Sequence, residues 1–220
     1  MRDNRKNREY FITYLDYQYS RIENKVKKLN GSDDEKKQRI LVSLTNFEID
    51  LLKAEFSFGA TKEKIRLLLV EAINRLSDYK KITYEDLLNL LSISILVDAK
   101  NEAKKLINSN RQMINSDRLL TYISTYIETN SIKWDNNLNL QKDYNNLNFV
   151  FESDKKEDAL LSYLSSWYEN HSDYSWYDSH QKSEDTYCGY WSFESAAIAI
   201  SLGIKDTKIR KSDFYPSFSK

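Results

Sequence analysis

Residues 176–204 read WYDSHQKSEDTYCGYWSFESAAIAISLGI, a polar and aromatic segment that runs directly into an apolar helix. This stretch holds the only cysteine of the chain, two of its four tryptophans and two of its four glycines. Apolar residues nearly encircle the helix, which we expect to begin near Tyr190, and that pattern is typical of a buried, central helix. The sequence Leu202-Gly203-Ile204 fits a glycine C-cap in which Ile204 folds back onto the last turn.

One carboxylate of this helix lies in an apolar stripe. Glu194 shares a helical face with Trp191 and Ile198, and a carboxylate in such a place needs hydrogen bonds or a positively charged partner. His180, Arg210 or a tyrosine hydroxyl could supply them. Two interpretations stay open, a buried glutamate that ties loops together and a residue that contacts another molecule.

The rest of the chain also has a helical pattern. Four Gly and one Pro in 220 residues are few turn formers, which favours long helices. Apolar residues at helical spacing predict a helix over residues 10–29, a second capped by Asp33 or Asp34 and closed by Gly59, and a third capped by Thr61. Further helices are predicted over residues 83–97, 101–108, 119–127 and from 154 onward, with a short one at 144–149.

No stretch alternates like a strand, so the sequence predicts an all-α fold, an antiparallel multi-helix bundle. The apolar period is interrupted near residues 78–83, by Tyr79, Lys80 and Lys81. We therefore expect an N-terminal helical part, residues 1–80, packed on a larger C-terminal part, residues 81–220.

The formal net charge of zero hides an uneven distribution. Residues 1–110 carry 21 Lys or Arg and 17 Asp or Glu, a net of plus four, whereas residues 111–220 carry 12 and 16, a net of minus four. Between residues 135 and 194 twelve acids face four lysines. Such acidity argues against nucleic-acid binding through this half, because phosphate contacts need cations. It suits either a solvated surface or one that complements a basic partner.

Compartment and membrane association can also be assessed from composition. One cysteine allows no intrachain disulfide, which fits a reducing compartment. The first ten residues are too polar for the apolar region of a secretory signal, and the longest apolar-rich run, residues 87–97, is too short to span a bilayer. We expect a cytoplasmic protein that does not interact with membranes.

Cys188, His171, His180 and the acids around them are residue types that form Cys-His nucleophiles or metal centres. The sequence has no HExxH motif, no phosphate-binding glycine loop and no GxSxG elbow, and the two histidines lack the spacing of paired ligands. We expect no enzymatic activity, no cofactor and no metal. Two alternatives remain open, a Cys- or metal-dependent hydrolase and a helical adaptor protein.

Several motifs match a known family. They are WYDSH at 176–180, TYCGYWSFESAAIA at 186–199, LGI at 202–204, Asp206 and Tyr215-Pro216, with weaker matches at Arg2-Asp3, Tyr10-Phe11 and EFSFG at 55–59 before Thr61. Together they resemble the PoNi-type immunity proteins, the antidotes of polymorphic nuclease toxins in bacterial competition, over nearly the whole chain. The chain departs from the pattern at Ser195, where the family has Ala, and residues 181–185 fall in a gap of the motif.

The resemblance implies an α-helical, non-enzymatic protein that binds a cognate toxin domain and blocks its active site. A nuclease site is usually cationic, so the acidity of the C-terminal half favours occlusion of that site by an acidic, aromatic-rich surface. Interleaved aromatic and acidic residues suit a protein interface. The predicted partner-binding residues are Asp173, Trp176, Asp178, His180, Glu184, Asp185, Tyr187 and Glu194. A homo-oligomer is left open.

Overall fold

The computed structural model describes residues 1–76 and 82–219, and these contain ten α-helices. Their bounds are α1 Arg8–Leu29, α2 Asp34–Phe58, α3 Lys62–Leu76, α4 Tyr84–Leu96, α5 Lys100–Ser109, α6 Arg111–Ser116, α7 Arg118–Thr129, α8 Leu147–Glu152, α9 Lys156–Asn170 and α10 Phe193–Ser201. Within the described ranges the extended pairing is limited to one isolated bridge between Asp117 and Asn139. The all-α prediction is confirmed.

The predicted caps explain where the N-terminal helices begin and end. The Asp33 carboxylate accepts a hydrogen bond from the Lys36 amide at 2.8 Å, and the Thr61 hydroxyl accepts one from the Lys64 amide at 3.2 Å. Helix α2 ends at Gly59, whose φ of +109° is a conformation that glycine adopts readily. Short connections then pack α2 against both α1 and α3 as neighbours.

Helices α4 and α10 form the centre of the molecule. Every residue of α4 from Leu87 to Leu96 is buried, because α2, α3, α5, α7 and α10 all pack on it. Helix α10 is buried along its length except at Ile200, and its alanines allow α4 to approach closely. Its C-terminus is a Schellman motif, with the Ile204 amide donating to the Ala199 carbonyl at 2.8 Å, as the Leu202-Gly203-Ile204 pattern predicts.

Two local predictions were wrong, and one short helix was missed. Helix α10 begins at Phe193 and not near Tyr190, because residues 186–192 are extended and bond to other parts of the chain, for example Ser192 N–H to the Phe214 carbonyl at 2.9 Å. Helix α6 was not predicted, and α8 spans residues 147–152 rather than 144–149. The predicted boundary residues Tyr79, Lys80 and Lys81 lie outside the described ranges, and the two-part division stays a prediction.

One hydroxyl of α2, that of Ser57, makes two hydrogen bonds to the extended segment 186–192. Ser57 Oγ donates to the Cys188 carbonyl at 2.8 Å and accepts from Trp191 Nε1–H at 2.8 Å. Between these two contacts lies Gly189, with φ +118°, and a Cβ there would overlap Ser57 Oγ and lie 2.5 Å from Trp191 Nε1. Only glycine therefore lets this segment approach α2 so closely.

The N-terminal residues Arg2 and Asp3 pack on the end of α2 and on the extended segment. The Arg2 guanidinium lies beside the paired rings of Phe56 and Phe218, 4.6 and 5.0 Å from their centroids, and donates to the carbonyl of Ala60 at 2.9 Å. The buried Asp3 carboxylate accepts a hydrogen bond from the Tyr187 hydroxyl. The two ends of the chain thus meet at the C-terminal end of α2.

Among the helices described, none combines the length and apolar character needed to cross a bilayer.

We predict that Gly189→Ala destabilises the protein by about 3 kcal/mol or more, because it adds a steric clash to an unfavourable positive φ. The matched control is Gly203→Ala: its φ is +62°, but nothing lies within 4 Å of the added Cβ. That variant should lose only about 1 kcal/mol. Urea denaturation followed by circular dichroism measures both, and equal losses would contradict the close-approach explanation.

Candidate partner-binding surface

The residues predicted to bind a partner lie mainly in the polar segment, which we define as residues 171–185, between α9 and the extended segment. Its backbone forms successive turns and one 3-10 turn at Ser179–Gln181. Four aromatic side chains beneath it, Trp167, Tyr168, Tyr190 and Phe214, form a contiguous ring cluster. The segment is therefore held on a rigid aromatic platform although it lacks regular structure.

Trp176 attaches the polar segment to both halves of the chain. Its indole stacks on Trp167 with centroids 5.5 Å apart, and its Nε1–H donates to Glu85 Oε1 at 3.0 Å. The same Glu85 oxygen lies 3.7 Å from Lys53 Nζ on α2. A half-buried indole thus lies where α2, the start of α4 and the polar segment meet.

Asp178 and His180 are held by tyrosines. The Tyr168 hydroxyl donates to Asp178 Oδ1 at 2.7 Å, which stabilises Asp178 in the left-handed region at φ +55°. His180 Nδ1 lies 2.9 Å from the Tyr190 hydroxyl, and the His180 amide donates to the same oxygen at 3.1 Å. Both side chains are half-buried, and Asp178 Oδ1 and His180 Nδ1 form hydrogen bonds within the fold.

Tyr187 and Glu194 lie in the interior, 0% and 3% exposed. Glu194 Oε1 accepts hydrogen bonds from the Tyr163 hydroxyl and from Trp167 Nε1–H, both at 2.7 Å, and from Ser192 Oγ. A tyrosine hydroxyl is among the partners expected from the sequence, whereas His180 bonds elsewhere. Since a partner cannot reach either side chain on this surface, any role of Tyr187 and Glu194 in binding would act through the fold.

The exposed members of the predicted set are Asp173, Glu184 and Asp185. Asp173 lies 3.6 Å from Lys142, with both side chains almost fully in solvent, so the pair contributes little. Within the described ranges, Glu184 and Asp185 have no cation within 4 Å. Of the twelve acids between residues 135 and 194, all except Glu194 are exposed or half-buried, so the acidity of this region is a property of the surface.

A groove of about 580 Å³ separates the polar segment from α2. Its lining is polar except for one aromatic side chain, and consists of Asn46, Asp50, Ser175, Trp176, Ser179, Lys182, Glu184 and Thr186. We call it the α2 groove. Asp50, half-buried on α2, and the exposed Glu184 are its two carboxylates, and Lys182 is its one cation.

Asp50 has an unusual environment for a carboxylate. Burial raises the pKa of Asp50 to about 6, and the nearby positive charge of Lys53 lowers it only in part. Lys53 forms its ion pair with Glu85, and in the described part of the chain the hydrogen-bond donor to Asp50 is the Cys188 thiol, a weak donor at 3.7 Å. Near neutral pH the groove thus contains a carboxylate that has no ion pair within 4 Å in the described part of the chain, although the charges of Lys53 and Arg21 act on it from farther away.

A Cys-dependent hydrolase would require a thiol whose pKa is lowered, and the described surroundings of Cys188 have the opposite net effect. Burial, and then the neighbouring charge of Asp50, raise the pKa of the Cys188 thiol, the opposite of what a nucleophile requires. Neither histidine contacts it: the His171 Nδ1 faces the Trp167 carbonyl at 2.6 Å, and His180 bonds to Tyr190. The described residues contain no group of three or more His, Cys, Asp or Glu side chains that could hold a metal ion.

Asp50 and Asn46 were missed by the sequence analysis. Both lie on α2, far along the chain from the polar segment, and the apolar stripe of α2 indicates only that they lie beside the buried face. The groove could not be predicted from a single acid beside the apolar stripe of a helix, because the residues of its opposite wall lie more than a hundred positions later in the chain.

Comparisons with known proteins cover nearly the whole chain. A family model described as "PoNe immunity protein (PoNi), N-terminal" matches residues 2–108, and one described as "PoNe immunity proteins (PoNi), C-terminal" matches residues 115–217. Among solved structures, protein PA2201 from Pseudomonas aeruginosa is similar with a TM-score of 0.71 and 18% sequence identity, over 97% of this chain and 88% of that one. At this identity the likeness shows the fold. No curated protein matches the chain.

We predict that Asp50→Asn stabilises the protein at neutral pH. The folded state raises the pKa of Asp50 from 3.8 to about 6, so ionising this group lowers stability as the pH rises through that window. The variant should match the wild type below pH 4 and exceed it above pH 6 by about 1–2 kcal/mol, allowing for partial exposure. Urea denaturation at pH 4.0 and 7.5 measures this difference.

The control for that prediction is Asp173→Asn, which removes an exposed carboxylate. Its unfolding free energy should follow that of the wild type at both pH values. A difference between Asp50→Asn and the wild type that does not change with pH would contradict the assignment of the effect to the ionised carboxylate.

Proposed function

The chain belongs to the family of PoNe immunity proteins, PoNi, and from this membership we propose that it neutralises a cognate polymorphic nuclease toxin by binding the toxin domain and covering its active site. In this proposal the protein acts stoichiometrically and not as an enzyme, with the toxin domain as its protein partner and no cofactor. Because an antidote of a nuclease has to meet the toxin before the toxin meets DNA, we further propose that it works in the cytoplasm.

The observation that carries the proposed mode of inhibition is the exposed acidity around the polar segment. A nuclease site that holds DNA phosphates is lined by cations. A surface with exposed acids such as Glu184 and Asp185 complements such a site and competes with the substrate for it. Long-range attraction between the two surfaces also speeds their encounter.

The structure supports a division of work among the predicted partner-binding residues. We propose that Asp173, Glu184 and Asp185 contact the toxin directly, since they are exposed. Trp176, Asp178 and His180 lie at the edge of this surface and hold its shape through Glu85, Tyr168 and Tyr190. Tyr187 and Glu194 contribute from the interior by fixing the segment underneath.

Co-expression with the toxin encoded beside this gene tests the proposed function. Wild-type protein should protect cells from the toxin and should form a complex with it that survives gel filtration. Absence of both protection and complex would contradict the proposal. Protection without a complex would instead favour the hydrolase alternative, in which the partner or its product is consumed.

We predict that Glu184→Lys together with Asp185→Lys weakens toxin binding about tenfold or more at 50 mM salt, and less at 500 mM, mainly through slower association. Both side chains are exposed, so the change should leave folding intact. Surface plasmon resonance over a salt series measures the association and dissociation rates.

The matched control is the charge reversal of Glu152 and Asp154, two exposed acids of the same acidic region that do not line the α2 groove. It changes the net charge by the same amount, so it separates local contact from overall attraction. If both double variants weaken binding equally, the acids of the polar segment have no special place in the interface.

A further inference from the structure

The α2 groove joins the exposed acids of the polar segment to a charge on the N-terminal half of the chain. We infer that the α2 groove accepts one cationic side chain of the toxin, an arginine in preference to a lysine, between Asp50, Glu184 and the indole of Trp176. This inference rests on the proposed function and specifies the partner chemistry at its site.

The first argument is that Asp50 has neither an ion pair nor a strong hydrogen-bond donor among the described residues. A half-buried carboxylate normally gains a cation or several strong donors, because removing its charge from water is unfavourable. Asp50 has only the thiol of Cys188 within bonding distance in the described ranges, while Lys53 is paired with Glu85. A cation that enters the groove would supply the missing partner, and burying the pair would strengthen their attraction.

The second argument is the chemistry of the walls. Trp176 offers an aromatic surface whose orientation is fixed by stacking on Trp167 and by the hydrogen bond to Glu85. A guanidinium stacks on an indole and bonds to carboxylates through a planar fork, whereas an ammonium is a compact, strongly hydrated charge. The uncharged polar members of the lining, such as Asn46 and Thr186, offer further oxygen acceptors to the N–H groups of arginine.

The third argument concerns Lys182, the cation that lines the groove among the described residues. Its Nζ donates to the Ser175 carbonyl at 3.1 Å, and it has no carboxylate within 4 Å in the described part of the chain. Lys182 therefore leaves Asp50 and Glu184 without an ion pair and would repel an incoming guanidinium. We therefore expect opposite effects on the affinity for the cation: replacing Asp50 by a neutral residue weakens binding, and replacing Lys182 by a neutral residue strengthens it.

A probe that does not require the toxin tests the groove itself. The probe is N-acetyl-L-arginine amide, compared with the corresponding citrulline amide, which has nearly the same shape but no charge. In nitrogen-15 NMR spectra the arginine probe at millimolar concentration should shift the indole N–H signal of Trp176, assigned by its loss in Trp176→Phe, and citrulline should not. Asp50→Asn should remove the shift, and Lys182→Gln should enlarge it.

Equal responses to arginine and citrulline amides, or an undiminished response in Asp50→Asn, would overturn the inference. Misfolding would not account for a lost shift in Asp50→Asn, because this variant is expected to be more stable than the wild type at neutral pH.

The second arm uses the toxin domain and isothermal titration calorimetry. Asp50→Asn and Asn46→Trp, which fills the groove mouth from an exposed position of α2, should each weaken binding about tenfold or more, and Lys182→Gln should strengthen it about threefold. If the wild type binds no toxin, the proposed function fails. If the wild type binds and these variants bind as tightly, the proposed function stands and the groove is excluded from the interface.

Discussion

The arrangement of this protein depends on the close contact between Gly189 and the hydroxyl of Ser57. That contact places the extended segment 186–192 directly on α2, with one hydrogen bond to the Cys188 carbonyl and one from Trp191 on either side of the glycine. The contact also sets where the chain enters α10. Helix α10 begins immediately afterwards and fills the space beside α4. The polar segment precedes the contact, and together with the bonds of Trp176 the contact places that segment opposite α2, across the groove.

This constraint explains why several polar side chains of the most recognisable motif of the chain form hydrogen bonds inside the fold. The polar atoms of its residues are used inside the fold, as in the bonds of Tyr187 to Asp3, of His180 to Tyr190 and of Ser192 to Glu194. The exposed acids Glu184 and Asp185 lie instead in residues 181–185, which the motif leaves undefined. The structure thus separates the residues that build the aromatic platform from the acids that are exposed on it.

The elements that depend on local chemistry could be predicted from the sequence, and those that depend on distant contacts could not. Caps at Asp33, Thr61 and Gly203, and the burial of Glu194, follow from side-chain types at helical spacing. The start of α10 was misplaced because Tyr190 and Trp191 continue its apolar period, while their hydrogen bonds reach Ser179 and Ser57 elsewhere in the fold. Asp50 was missed for the same reason, since its significance comes from a wall that lies more than a hundred residues away.

The electrostatics of Asp50 also suggest a reason why a residue that is unfavourable for folding occupies this position. An ionised carboxylate whose pKa is raised by burial lowers the stability of the folded state, and an asparagine would fit the same space without that penalty. Groups that are unfavourable for folding are common where they serve binding, because the charge that is poorly solvated in the free protein is the one that gains most from a partner. Lys53 does not remove the penalty, since its ammonium group pairs with Glu85, which in turn orients Trp176. The ion pair that fixes the wall of the groove is therefore also what leaves its carboxylate available to a cation from outside.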